Sequence, residues 1–261
     1  MMSADNTRTA RVVQMHQSQM NQPALCAIVK PIPISMIKTM IFSVAVSVSN
    51  KKMLGRLFML DIPKLTELSF DGKRHVYSIK GEELPSVTTV MRPLSNAYYG
   101  GIDEGILQAA AQRGTAVHEA IENYLTFGID DVASEHTGYY KAFKSWLDEK
   151  KPQIISTEGK IYHKILRYAG TSDLSCIMDG EAVCIDFKTS SQIVEMLVRV
   201  QLEAYSRAFE SHGVKHQSKA VVHLQKDGRW DMKMFPSGDL EAWETFGGLL
   251  TVHNYIKKYR R

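Results

Sequence analysis

Cysteine is scarce in this chain: Cys26, Cys176 and Cys184 are the only three among 261 residues. An odd number at no framework spacing excludes a disulfide-built scaffold and fits a reducing compartment. Zinc-type spacing is absent, as are a glycine-rich phosphate cradle and a motor motif. Long apolar runs are missing too. The apolar stretch 40–48 falls well short of the ~20 residues that a membrane-spanning helix needs. An excess of one charge sign is only superficially present. The formal net charge is +4, but residues 1–52 hold six Lys/Arg against one Asp, a balance of +5, which leaves −1 for the remainder. The body therefore has no overall attraction for a polyanion, and any such affinity requires a local arrangement of cations.

What the chain does have is a hairpin pattern running from Tyr168 to Lys188. After Gly170-Thr171-Ser172-Asp173 the chain alternates, meets an Asp179-Gly180 turn, and returns as Ala182-Val183-Cys184-Ile185-Asp186-Phe187-Lys188. An Asp-Gly pair between alternating segments predicts a two-residue hairpin loop. Strand alternation sends Val183, Ile185 and Phe187 to one face and Cys184, Asp186 and Lys188 to the other. Pairing of the strands brings Asp173 toward Asp186. Two converging carboxylates repel, and a hard divalent cation is the usual reason to hold them together. A lysine beside such an ion can orient a water or neutralise charge on a phosphoryl group. Asp-x-Lys taken alone is more often a solvated ion pair on a sheet face.

Two further segments bear on that choice. Arg113-Gly114-Thr115-Ala116-Val117-His118 lies in a segment, 104–125, whose apolar residues recur at helical spacing and place His118 inward. Gln201 and Tyr205 stand at i and i+4 after Asp-x-Lys, stacked on one helical face. In this order the motifs resemble the RecB-like branch of the PD-(D/E)xK nuclease superfamily, over roughly residues 84–209, and are closest to phage-type and mitochondrial genome-maintenance-type exonucleases. The proline of the family name is absent, with Thr171-Ser172 ahead of Asp173.

The resemblance implies an α/β fold with a restriction-endonuclease-like core, a central mixed β-sheet flanked by helices. It implies Asp173, Asp186, Lys188, Gln201 and Tyr205 as catalytic residues. His118, Asp173, Asp186 and the Phe187 carbonyl would hold Mg²⁺ or Mn²⁺. Glu158 is a further candidate ligand, although a glutamate before Gly159 equally fits an exposed strand end. Arg113, Thr115, Thr189, Ser190, Gln201 and Tyr205 would meet nucleic acid. Some relatives hold an iron–sulfur cluster with four cysteines, more than one subunit of this chain has, so none is expected.

Elsewhere the pattern predicts a hairpin over 65–79, a Ser86-capped helix and a helix over 139–150. Strands follow over 153–158 and 160–168, and Thr189-Ser190-Ser191 offers caps for a helix ending near Glu210. Glu195, Arg199 and Glu203 fall on its expected solvated face. A hairpin over 219–235 precedes a closing helix, 239–259, with Trp243, Phe246, Leu249, Leu250 and Ile256 inward. Its basic end, Lys257, Lys258, Arg260 and Arg261, reads first as complementing the helix dipole and second as phosphate contact. Residues 1–52 are expected to be an extension outside the 53–261 nuclease domain, with a targeting segment or a start at Met53 as alternatives.

The functional expectation is a metal-dependent exonuclease acting on DNA ends in phage or host replication, recombination or repair. A helicase or a single-strand-binding or annealing protein is its expected partner, and no membrane is involved. Its location would be the cytoplasm of a bacterium or phage-infected host, or the mitochondrial matrix if 1–52 is a targeting peptide. The alternatives are a structure-specific endonuclease of the same fold and a non-catalytic DNA-binding module.

Overall fold

A computed structural model describes residues 62–259. The extension 1–52, Met53, Cys26, Arg260 and Arg261 lie outside the described residues. A small antiparallel sheet comes first: β1 (Leu68–Asp71), β2 (Val76–Ile79) and β3 (Glu82–Leu84). The third strand was not anticipated; Lys80 and Gly81, both at positive φ, turn the chain back into it. The short helix α1 (Val87–Val90) follows, capped as expected by Ser86, whose Oγ accepts from Thr89 N at 3.0 Å. Next come α2 (Arg92–Tyr99), α3 (Glu104–Phe127) and α4 (Thr137–Lys150).

The main sheet comprises β4 (Gln153–Tyr162), β5 (Ala169–Met178), β6 (Glu181–Lys188), β7 (Ser218–Leu224) and β8 (Trp230–Pro236), paired in that order. All neighbours are antiparallel except β6 and β7. That parallel pair requires a crossover, supplied by α5 (Glu195–Glu210), and α6 (Leu240–Tyr259) closes the chain. This is the expected mixed sheet flanked by helices. Because β6 is covered on both sides, its alternation divides two cores. Val183, Ile185 and Phe187 pack with Val117, Phe143 and Trp146 of α3 and α4. Cys184 belongs to the other core, with Leu202 and Tyr205 of α5 and Phe246 of α6. Among the described residues, no helix is long and apolar enough to cross a membrane.

Four expectations are corrected. Residues 153–162 form one strand, not a strand ending at Glu158, because Glu158 takes a left-handed conformation, φ 46°, and the ladder resumes at Gly159. Residues 163–168 turn rather than extend, with Arg167 N bonded to His163 O. The caps expected at 189–191 are not used: α5 begins at Glu195, and Ser190 O accepts instead from His223 Nε2 on β7 at 2.7 Å. Ile256 is 49% exposed, since α6 runs past the end of the core beneath it. A further departure concerns Glu203, which is buried rather than solvated.

Candidate active site

The site forms where two strands part. The β5–β6 ladder pairs Leu174 with Ile185 and stops there. Beyond that point β5 stays with β4, pairing Ser172 with Gly159. The next donor on β6, Phe187 N, therefore has no backbone acceptor on β5; Asp173 Oδ2 takes it at 2.7 Å. The hairpin is set by its loop, in which Asp179 and Gly180 both have positive φ, as a type I′ turn demands. The register of β4 places Glu158 opposite Asp173, between the Thr157–Leu174 and Gly159–Ser172 pairs. A non-glycine residue in the left-handed region costs on the order of 1 kcal/mol or more, and persists where the surroundings over-determine it.

His118, from the inward face of α3, fits into this fork. Its Nε2 lies 2.9 Å from the Phe187 carbonyl, which only accepts, so that nitrogen carries the proton. Nδ1 faces Asp173 at 3.5 Å and Glu158 at 3.9 Å. One ligand atom from each of His118, Glu158 and Asp173 lies within 4.8 Å of the others, a spacing that a single cation can bridge. Burial opposes charge on His118, but Asp173 and Asp186 outweigh it and raise the imidazole to about 9. Burial, reinforced by the charge of Asp173, lifts Glu158 to about 7. Desolvation acts on the half-buried Asp173 as well, yet His118, Lys188 and the Phe187 N–H hold its carboxyl below the usual range.

Asp186 sits one position along β6 and is 2% exposed. Lys188 Nζ forms an ion pair with its Oδ2 at 2.7 Å, and no other donor among the described residues reaches this buried oxygen. Burial pushes the Asp186 carboxyl up; Lys188 opposes this and the charge of Asp173 adds to it. The Lys188 ammonium is disfavoured by burial but held by Asp186 and Asp173, and its pKa rises. It donates to Gln201 Oε1 at 3.0 Å, and Gln201 Nε2 donates to Tyr205 OH at 3.2 Å. Tyr205 is 5% exposed and presses on Gly170, where a Cβ would lie 2.5 Å from its Cε1. The glycine ahead of Asp173 is thus a packing requirement of the α5 tyrosine.

The structure brings His118, Glu158, Asp173, Asp186, the Phe187 carbonyl, Lys188 and Gln201 together. Tyr205 stands behind Gln201, where its ring offers no surface to a strand. Thr189 is buried, while Thr115 is exposed with its hydroxyl returned to Ala111 O. Arg113 lies over the Tyr139 ring at 5.5 Å, and its Nε is buried without a partner among the described residues. Ser190 lines a cavity of about 220 Å³ beside Lys188 and Gln201, together with Ser95 and Tyr99 of α2. Tyr99 was missed by sequence reasoning, because nothing local to α2 marks it as facing β6. Cys184 meets Ser172 Oγ at 3.3 Å, and burial pushes its thiol up to about 12, which suits packing and not nucleophilic chemistry.

The donor set suits a hard divalent cation: carboxylates, a carbonyl with a second lone pair, one imidazole, and a buried carboxylate oxygen met only by Lys188. Taken without His118, the carboxylates of Glu158, Asp173 and Asp186 outnumber the single ammonium of Lys188.

No protein-family model matches the chain, and no curated protein matches it significantly. Among solved structures it is similar to an alkaline exonuclease, LHK-Exo, from Laribacter hongkongensis, at 15% identity over 57% of this chain and 85% of that one, with a TM-score of 0.33. The structure of LHK-Exo in complex with dAMP matches at 13% identity over 54% and 83%, TM-score 0.28. SSO0001 matches at 18% identity over 70% and 81%, TM-score 0.35. Likeness of this degree assigns no activity.

Proposed function

We infer that the chain is a metal-dependent nuclease that hydrolyses phosphodiester bonds at DNA ends. The observation that carries this is the set Asp173, Asp186 and Lys188 at the parting of β5 and β6, closed from the α3 side by His118. Asp173, Asp186, Glu158, His118 and the Phe187 carbonyl would hold Mg²⁺ or Mn²⁺. That ion, when bound, supplies Lewis acidity toward a phosphoryl oxygen and lowers the pKa of a water.

The chain's own residues do the rest. His118 binds through Nδ1 once neutral, because its Nε2 proton is committed to Phe187 O. Lys188 is held between Asp186 and Gln201, so its ammonium has one position from which to orient the attacking water or meet charge on the phosphoryl group. Gln201 is fixed in turn by Tyr205. Tyr205 is accordingly a positioning residue.

The test is a time course on end-labelled linear DNA beside a covalently closed circle, with Mg²⁺, Mn²⁺ or EDTA, using the full chain and its Lys188→Ala variant. Metal-dependent loss of the linear substrate alone, abolished in the variant, is the expected result. Cutting of the circle would make the protein an endonuclease of the same fold, and no cleavage in any condition would leave a binding module.

A further inference from the structure

The paired helices α1 and α2 present two neighbouring faces. One, with Ser95 and Tyr99, lines the cavity beside Lys188 and Gln201. The next face round, with Arg92, Pro93 and Asn96, forms one wall of a separate groove of about 560 Å³, whose other wall is the last turns of α6. Its floor and sides are apolar, with Val90, Val252 and Ile256, and its cations are Arg92 and Lys257. Among the described residues, no carboxylate lines it.

Arg92 and Lys257 are both exposed, and among the described residues Lys257 Nζ donates only to a backbone carbonyl, that of Glu83, at 3.3 Å. The Glu83 carboxylate is occupied by Arg74. His253 lines the same groove, and its imidazole is pulled below its usual value by burial first and then by the charges of Lys257 and Arg92. Two positive charges thus converge over an alkyl surface, one helix face away from the candidate catalytic lysine. Cations along a groove attract successive phosphates, while an apolar floor accepts sugar and base faces without reading their sequence. The body of the chain has no net positive charge to offer in place of such a local track.

We propose that the groove between α2 and α6 binds single-stranded DNA, as a second contact on the strand whose scissile phosphate lies at Lys188. The proposal rests on the nuclease reading for its partner, but its test does not depend on cleavage. The full-length protein is titrated in EDTA with fluorescent oligothymidylate, either long enough to reach the groove or only a few nucleotides long, over a range of salt. Arg92→Glu with Lys257→Glu weakens binding of the long strand about tenfold or more and removes roughly 1.4 from its log–log salt slope, about 0.7 per phosphate lost. Binding of the short strand is unchanged. Arg92→Lys with Lys257→Arg keeps the parent's affinity, which separates charge from folding.

Unaltered affinity and slope in the charge-reversed protein would overturn the proposal. Equal loss on both strands would do the same, and so would tighter binding of polyglutamate than of the oligonucleotide, which would point to an acidic protein partner. Groove-dependent binding in a protein that never cleaves would instead sink the nuclease reading and leave the groove standing.

Discussion

Asp186 and Glu203 are both carboxylates taken out of water, 2% and 1% exposed, yet they are treated oppositely. Glu203 is saturated. One oxygen accepts from Arg207 Nε at 2.8 Å, and the other from Lys219 Nζ and from Asp239 N. Lys219 is itself fully buried, so the cluster ties α5 to β7 and to the start of α6. Asp186 has Lys188 against one oxygen, shared with Gln201, and the raised imidazole of His118 further off. Its neighbours Asp173 and Glu158 add negative charge. A buried carboxylate whose acceptor positions are all used is a joint between elements. One left with unmet capacity among other carboxylates is, on the proposed function, the seat where a cation would be held.

The difference predicts which substitutions cost activity and which cost stability. Lys188→Ala should lower kcat by about a thousandfold or more, the size of effect seen when one donor to a charged transition state is removed. Its urea midpoint should fall by less than that of Glu203→Ala, because the Asp186 carboxyl left behind is already pushed up by burial and can take a proton. Glu203→Ala should do the reverse. Removing one partner from a buried ion pair costs about 3–5 kcal/mol, read from urea melts, while cleavage per folded molecule persists. Replacing both partners, Glu203→Leu with Lys219→Met, should recover part of that loss; a double variant no better than the single one would break the description of the cluster as a self-contained joint.

His216, three residues before Lys219, gives the next effect in size. Burial pulls its imidazole down to about 4, with Ser175 Oγ as its side-chain partner at 3.1 Å. As pH falls, the unfolded chain takes up this proton first, near 6.5, and the folded chain only near 4. The stabilisation is therefore complete above pH 6.5 and is lost between 6.5 and 4, by about 3 kcal/mol at ~1.4 kcal/mol per pH unit. Equilibrium melts across that window measure it, and His216→Phe should flatten the slope.

The two clusters also differ in how far they could be read in the sequence. The site was legible because strand alternation and a two-residue loop are local rules, and Asp173, Asp186 and Lys188 all lie on one hairpin. Glu158 was only half legible. Gly159 after it resembles a strand end, whereas the left-handed conformation at Glu158 lets β4 continue and turns the carboxylate toward Asp173. Glu203 was misread, since helical spacing groups it with Glu195 and Arg199, and only the docking of α6 over α5 buries it. A signal was available sixteen positions later. Lys219 opens an apolar run that forms a strand buried on both faces, and a lysine there needs an acid. Ile256 fails for the opposite reason: helical periodicity continues to the end of α6, but the core does not.

The smallest expected effect separates the clusters most cleanly. A ligand that binds only the folded chain stabilises it by about 2.7 kcal/mol at a hundredfold excess over its Kd. Mn²⁺ at such a concentration should raise the melting temperature of the parent. Asp173→Asn should abolish the rise, because this carboxylate faces both His118 and Glu158. Glu203→Ala should begin from a lower melting temperature and rise by as much as the parent, since no oxygen of Glu203 is free to reach an ion. The alternative outcome is informative because α5 carries Gln201 and Tyr205 as well as Glu203. Loss of the Mn²⁺ response in the Glu203 variant would mean that the buried joint holds α5, and with it Lys188, in the position the cation site requires. Joint and seat would then be one device, and the contrast between them would fail.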